Sequence, residues 1–159
     1  MKLMSIVALA VALSFTASQA NAAWQSEVRG NDEYYVAWVH DSTDTLQIDV
    51  DCSVMLMEHS ISLVSIDAWD DAASYPDSVP VTLAVDGEQF AAIPFRYENS
   101  GGNVAISAYE TDAPQIFQII NAMSVTETTI EVSFLGQTAY FTPEAVSGAL
   151  SDVIWACFF

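Results

Sequence analysis

Met55, Met57 and His59 stand two residues apart in the run Met55-Leu56-Met57-Glu58-His59. On an extended strand that spacing puts two thioethers and an imidazole on one face, about 7 Å apart, and these ligand types select Cu(I). The pattern offers a soft-metal carrier as one reading. The same residues have a plain structural use, because methionine fills irregular apolar gaps and a lone histidine at a strand end is ordinarily solvated. A second group, Asp67, Asp70, Asp71 and Asp77 around Trp69, offers carboxylates to calcium, to a glycan or to a basic cleft. It lacks EF-hand spacing, and nothing marks one carboxyl as the proton donor of a glycosidase. Asp67, Trp69, Asp70 and Asp71 therefore read as a candidate binding loop, or else as a solvated acidic loop around a core tryptophan. Nucleophilic catalysis has no foothold: there is no G-x-S-x-G elbow, and neither His40 nor His59 sits in a nucleophile motif. The chain reads as non-enzymatic, with no cofactor expected.

Compartment and partners follow from the ends and the charge. Residues 1–22 carry Lys2, an apolar run from Leu3 to Phe15 and a small-x-small end at Ala20-Asn21-Ala22. That is the three-part build of a secretory signal peptide, which predicts a mature domain over 23–159 and a periplasmic or extracellular location. The apolar run is shorter than the roughly 20 residues of a membrane span, and no second long run follows. Cys52 and Cys157 are the only cysteines, so in an oxidising compartment they read as one disulfide. The formal net charge is −18, and beyond Lys2 the only fixed cations are Arg29 and Arg96. Two scattered arginines cannot neutralise a phosphate backbone, which excludes nucleic acid as a partner. The acidity fits either a cationic protein partner or adaptation to a salty exterior, where screening weakens self-repulsion.

These residues need a scaffold, and the pattern predicts a β-rich one. Thr45 to Leu56 alternates, with Leu46, Ile48, Val50 and Cys52 on one side and Gln47, Asp49 and Asp51 on the other, as in a half-buried strand. Tyr34 to Val39 and Ser60 to Trp69 extend the pattern. Asp86-Gly87 between Val81–Val85 and Gln89–Arg96 predicts a hairpin on a type I′ turn, and Asn99 to Asn103 predicts another turn. Two helices are expected. Asp112 with Gln115 resembles a capping box ahead of the stripe Ile116, Phe117, Ile119, Ile120 and Met123. Thr142-Pro143-Glu144 reads as cap, first-position proline and N-terminal acid ahead of Val146, Ala149, Leu150, Val153, Ile154 and Cys157. Phe158-Phe159 raises a small outer-membrane barrel, whose alternating strands run to the C-terminus; the helical spacing of the last segment argues against it.

Trp38 in an early strand, Cys52 closing the next, the Val81–Gly87 hairpin, the Ile116–Met123 helix, Phe134-x-Gly136 and the final Leu150–Cys157 helix stand in an order that resembles small exported β-sandwich proteins. Those related to invasion-associated locus B and the periplasmic accessory protein of type VI secretion share it. The resemblance implies a β-sandwich with helices at one edge, acting by protein contact at the cell envelope, and carries no catalytic motif. Residues and resemblance together predict a mainly β domain: an antiparallel β-sandwich or open barrel with two short helices, the C-terminal one packed on the sheet. The expected function is protein–protein contact by a monomer or weak oligomer. The alternatives are a copper carrier using Met55, Met57 and His59, and an acidic inhibitor of a cationic envelope enzyme.

Overall fold

A computed structural model describes residues 23–31 and 33–158. The expected leader and Phe159 lie outside the described residues. The alternation at Leu46–Ser53 does form a strand, β3, which pairs antiparallel with Tyr34–His40 (β2) on one side and Glu58–Ala68 (β4) on the other. Ile48, Val50 and Cys52 are fully buried on its inner face. The remaining strands are β1 (Gln25–Arg29), β5 (Val79–Val85), β6 (Glu88–Gln89), β7 (Ile93–Ser100), β8 (Asn103–Tyr109), β9 (Ile130–Phe134) and β10 (Gln137–Phe141). They join one antiparallel sheet in the order β1-β2-β3-β4-β8-β7-β5-β9-β10, with β6 beside β5. The sheet curls into a half-barrel, the open-barrel form of the expectation.

Turn chemistry sets the hairpins. Asp86 and Gly87 take φ of +50° and +84° between β5 and β6, and Leu135 and Gly136 take +49° and +75° between β9 and β10. Positive φ at both central residues is what a two-residue type I′ turn requires. At the β7–β8 turn Gly101 and Gly102 have φ of +61° and +94°, and Asn99 Oδ1 accepts from the Gly102 amide at 2.8 Å. The predicted second arm, Gln89–Arg96, divides. Glu88 and Gln89 pair with β5, the Phe90 amide still donates to the Leu83 carbonyl at 2.9 Å, residues 91–92 leave the ladder, and β7 rejoins β5 at Ile93 while pairing with β8.

Helices α1 (Gln115–Ser124) and α2 (Val146–Ala156) fill the trough. Ile116, Ile119, Ile120 and Met123 of α1, and Val146, Ala149, Leu150 and Val153 of α2, are buried in one core with Ile61, Leu83, Phe95 and Ile130. α2 packs on β1, β2 and β3 and against α1, and the bridge Cys52–Cys157 (Cα–Cα 5.8 Å) pins its end to β3. The expected starts of both helices differ from what forms. Asp112 does not cap α1; its carboxylate meets Arg96 at 3.1 Å. Thr142 to Ala145 form a turn, with Thr142 Oγ1 accepting from the Glu144 amide and Ala145 at φ +64°. That turn receives Trp24, whose amide donates to the Glu144 carbonyl at 3.0 Å and whose indole donates to the Thr142 carbonyl at 2.8 Å.

Candidate functional site

The bridged end of the half-barrel gathers the most chemistry. β3 ends at Ser53, and Val54 to Met57 form a turn, so the strand expected through Leu56 stops three residues short. The turn exposes Met55 (73%), Leu56 (68%) and Met57 (50%) to solvent. His59, back on the inner face of β4, is only 3% exposed. The three expected soft ligands therefore do not share one strand face. The Val54 amide donates to the Glu33 carbonyl at 2.9 Å and Tyr34 pairs with Ser53, which sets this turn beside the β1–β2 turn. The disulfide brings the end of α2 to the same place, where Trp155 and Phe158 are exposed with ring centres 6.4 Å apart. Tyr34, Met55, Leu56, Met57, Trp155 and Phe158 are thus all exposed toward one end of the molecule. Glu33, Glu58 and Glu110 stand among them.

Under this apolar end lies a buried histidine. His59 Nδ1 is 2.8 Å from Glu110 Oε2, and its ring packs on Phe117 and Phe158 at 5.3 and 6.3 Å. Its Nε2 is buried without a hydrogen-bond partner. His59 pairs directly with Cys52 across β3 and β4. A ring nitrogen of His59 and the sulfurs of Cys52 and Cys157 lie within 4.8 Å of one another.

The opposite end of the trough is open. A cavity of about 650 Å³ is lined by Leu46, Leu63, Tyr97, Ile106, Phe134 and Ala139, among others, with Asp41, Thr43, Ser65 and Gln137 at its polar margin. Its volume and mixed lining suit a small ligand at a barrel mouth. Asp41 builds the margin: its carboxylate accepts from Thr43 Oγ1 and from the Thr45 and Leu46 amides at 2.5, 2.9 and 3.1 Å. Partial burial works against the ionised form, yet these bonds outweigh it and hold the carboxyl below its ordinary range.

A third cluster lies on the outer face of the sheet. Asp49 and Asp51 sit two apart on β3, opposite Ser62 and Ser60 of β4, and Ser62 accepts from Ser107 of β8 at 2.9 Å. Burial pushes Asp51 up to about 7, repulsion from Asp49 adds to that, and Arg29 works against it. Burial raises Asp49 as well, against the hydrogen bond it accepts from Gln47. Tyr109 donates to both oxygens of Glu98 at 2.8 and 3.0 Å; desolvation and that carboxylate hold its phenol well above the usual range. Arg29, ion-paired with Glu27, lies 5.5 Å from the Trp38 ring. A carboxyl that keeps its proton near neutrality has the first property of a general acid, but none of these residues lines the mouth cavity.

The acidic loop expected to bind is satisfied internally. Trp69 stacks on Tyr75 at 4.4 Å, and Tyr75 stacks on Tyr97 at 5.1 Å. Trp69 Nε1 donates to Asp71 at 2.7 Å, Asp70 accepts from the Ala72 amide, and Asp67 accepts from Ser65. The four residues stay together at the surface, and Asp67 lines the cavity margin. The partnership of His59 with Glu110 escapes sequence reading, because it spans about fifty residues, and so does the burial that raises Asp49 and Asp51. Only the alternation that puts Asp49 and Asp51 on one face was available as a signal.

No family model matches the chain, and neither a curated protein nor a solved structure matches it.

Proposed function

We propose that this chain is an exported, non-enzymatic cell-envelope protein that binds a partner protein through the apolar end around the Cys52–Cys157 bridge. The observation that carries the reading is the collection of Tyr34, Met55, Leu56, Met57, Trp155 and Phe158 at one end of a chain whose net charge is −18. Contiguous exposed apolar surface rimmed by charge marks interaction sites, and aromatic and methionine side chains are the types enriched where partners dock. Glu33, Glu58 and Glu110 at that end fit a partner with an apolar pocket and a basic rim. The leader-like residues 1–22, the disulfide and the likeness to accessory envelope proteins support export and action by contact. No helix among the described residues is long and apolar enough to cross a membrane.

Capture from envelope extract at low and high salt tests this. One dominant protein held at both salts by the parent, and lost by Leu56→Asp, is the expected result. Capture that vanishes at high salt alone reduces the contact to charge. A second reading rests on the mouth cavity: a small, largely apolar ligand held between β4, β8 and β10. Ile106→Trp, which fills that cavity, abolishes small-ligand binding under this second reading and leaves partner capture intact.

A further inference from the structure

We infer that Cys52, Cys157 and His59 form a redox-gated metal site, which holds one thiophilic d10 cation, with Zn²⁺ as the type case, once the disulfide is reduced. Three features of the structure converge on it. The two sulfurs and a ring nitrogen of His59 already lie within 4.8 Å of one another. Glu110 engages Nδ1 at 2.8 Å, and a carboxylate on one ring nitrogen is the device that fixes a ligating histidine's tautomer and orientation. In the neutral ring with its proton on Nδ1, Nε2 presents a lone pair, and that atom is buried with no partner. A buried acceptor without a partner is destabilising, and the fold bears that cost at the one nitrogen that Glu110 leaves available.

The surroundings of the sulfur favour a cation over a bare thiolate. The carbonyls of Glu58 and Ser53 lie 3.5 and 3.6 Å from Cys157 Sγ. Within the disulfide this sulfur has no proton to donate. After reduction these carbonyls accept from a thiol and repel a thiolate, unless a positive ion neutralises it. Sulfurs about 2.3 Å from Zn²⁺ in a tetrahedral site stand about 3.8 Å apart, a separation that side-chain rotation provides at a Cα–Cα distance of 5.8 Å.

The site loads in two steps. A dithiol reductant gives two electrons and two protons to the Cys52–Cys157 bond and becomes a disulfide, leaving two thiols on the protein. Zn²⁺ then binds both sulfurs and Nε2 as the two thiol protons leave to solvent. The metal thereby takes over the cross-link between β3 and the end of α2 that the disulfide supplied. These ligands differ from the Met55, Met57 and His59 set, sharing only the histidine, and the inference does not depend on the partner-binding reading.

The test uses Co²⁺ as an optical probe on the purified protein, oxidised or reduced with a phosphine under anaerobic conditions. The oxidised protein shows no cobalt spectrum. The reduced protein takes up one equivalent, with a thiolate-to-cobalt charge-transfer band that Zn²⁺ abolishes, and Zn²⁺ restores the thermal midpoint lost on reduction. His59→Phe, whose ring fits beside Phe117 and Phe158, keeps the disulfide and weakens cobalt binding by about a hundredfold or more. Glu110→Gln, which leaves the ligands in place, weakens it about ten- to a hundredfold. Equal cobalt affinity in the reduced parent and both variants overturns the site, as does a reduced protein whose midpoint Zn²⁺ leaves unchanged.

Discussion

Asp86 performs two tasks at one position. Its backbone takes the positive φ of the β5–β6 turn, while its exposed carboxylate accepts from Thr126 Oγ1, Thr128 Oγ1 and the amides of Glu127, Thr128 and Thr129. The hydrogen bond from Thr126 leads the causes that hold its pKa far below the ordinary value of 3.8. A carboxyl depressed in the folded state stabilises above its unfolded pKa, and the benefit is lost as pH falls through the folded value. Asp86→Asn, which tolerates the same backbone, therefore lowers the urea midpoint at pH 6 and loses most of that difference by pH 2. Asp51 has the opposite sign. Raised to about 7 from 3.8, it keeps its proton in the fold while the unfolded chain has lost it, so stability falls as pH rises from about 4 to about 7. Asp51→Asn is expected to match the parent near pH 4 and to exceed it at pH 8 by on the order of 2 kcal/mol, discounted for the screening of a half-buried group. Urea unfolding at the two pH values reads this directly. Asp86-Gly87 was legible as a turn, but its role as a clasp was not, since the threonines it binds lie some forty residues on.

Among the elements, what periodicity encodes was legible and what long-range contact decides was not. The stripes Ile116–Met123 and Val146–Val153 became the buried faces of α1 and α2, because an apolar stripe of that spacing has few other places to go. The helix starts misled, since Asp112 and Thr142 are as well suited to an ion pair and to a turn as to a cap. β1 left no mark: all five of its residues are exposed, so it shows no alternation, and it is held as an edge strand by β2 and by Trp24 next to it. Trp24 is 4% exposed, with its indole proton on the Thr142 carbonyl. Trp24→Phe removes that bond and costs about 1 kcal/mol, whereas Trp24→Ala empties the site and costs about 3–5 kcal/mol. Denaturant melts of the two variants separate the bond from the packing.

At the scale of the whole molecule, the half-barrel has two unlike ends. α2 and the disulfide close one, leaving an apolar rim; the other opens into the mouth cavity. The paired cysteines were legible from their count and from the oxidising compartment the sequence led one to expect. The apolar rim was not, because the reading of Met55 to Met57 as strand placed those side chains along a sheet face instead of at a turn. The apolar rim is the surface proposed to bind the partner. Its most direct test is titration of the captured partner with the parent, Leu56→Asp and Trp155→Ala, with Ile106→Trp at the other end as control. The two rim variants are expected to weaken binding by about thirtyfold or more, the loss typical of a hot-spot residue, while the control binds like the parent. Full affinity in both rim variants, or a loss confined to the cavity variant, contradicts it.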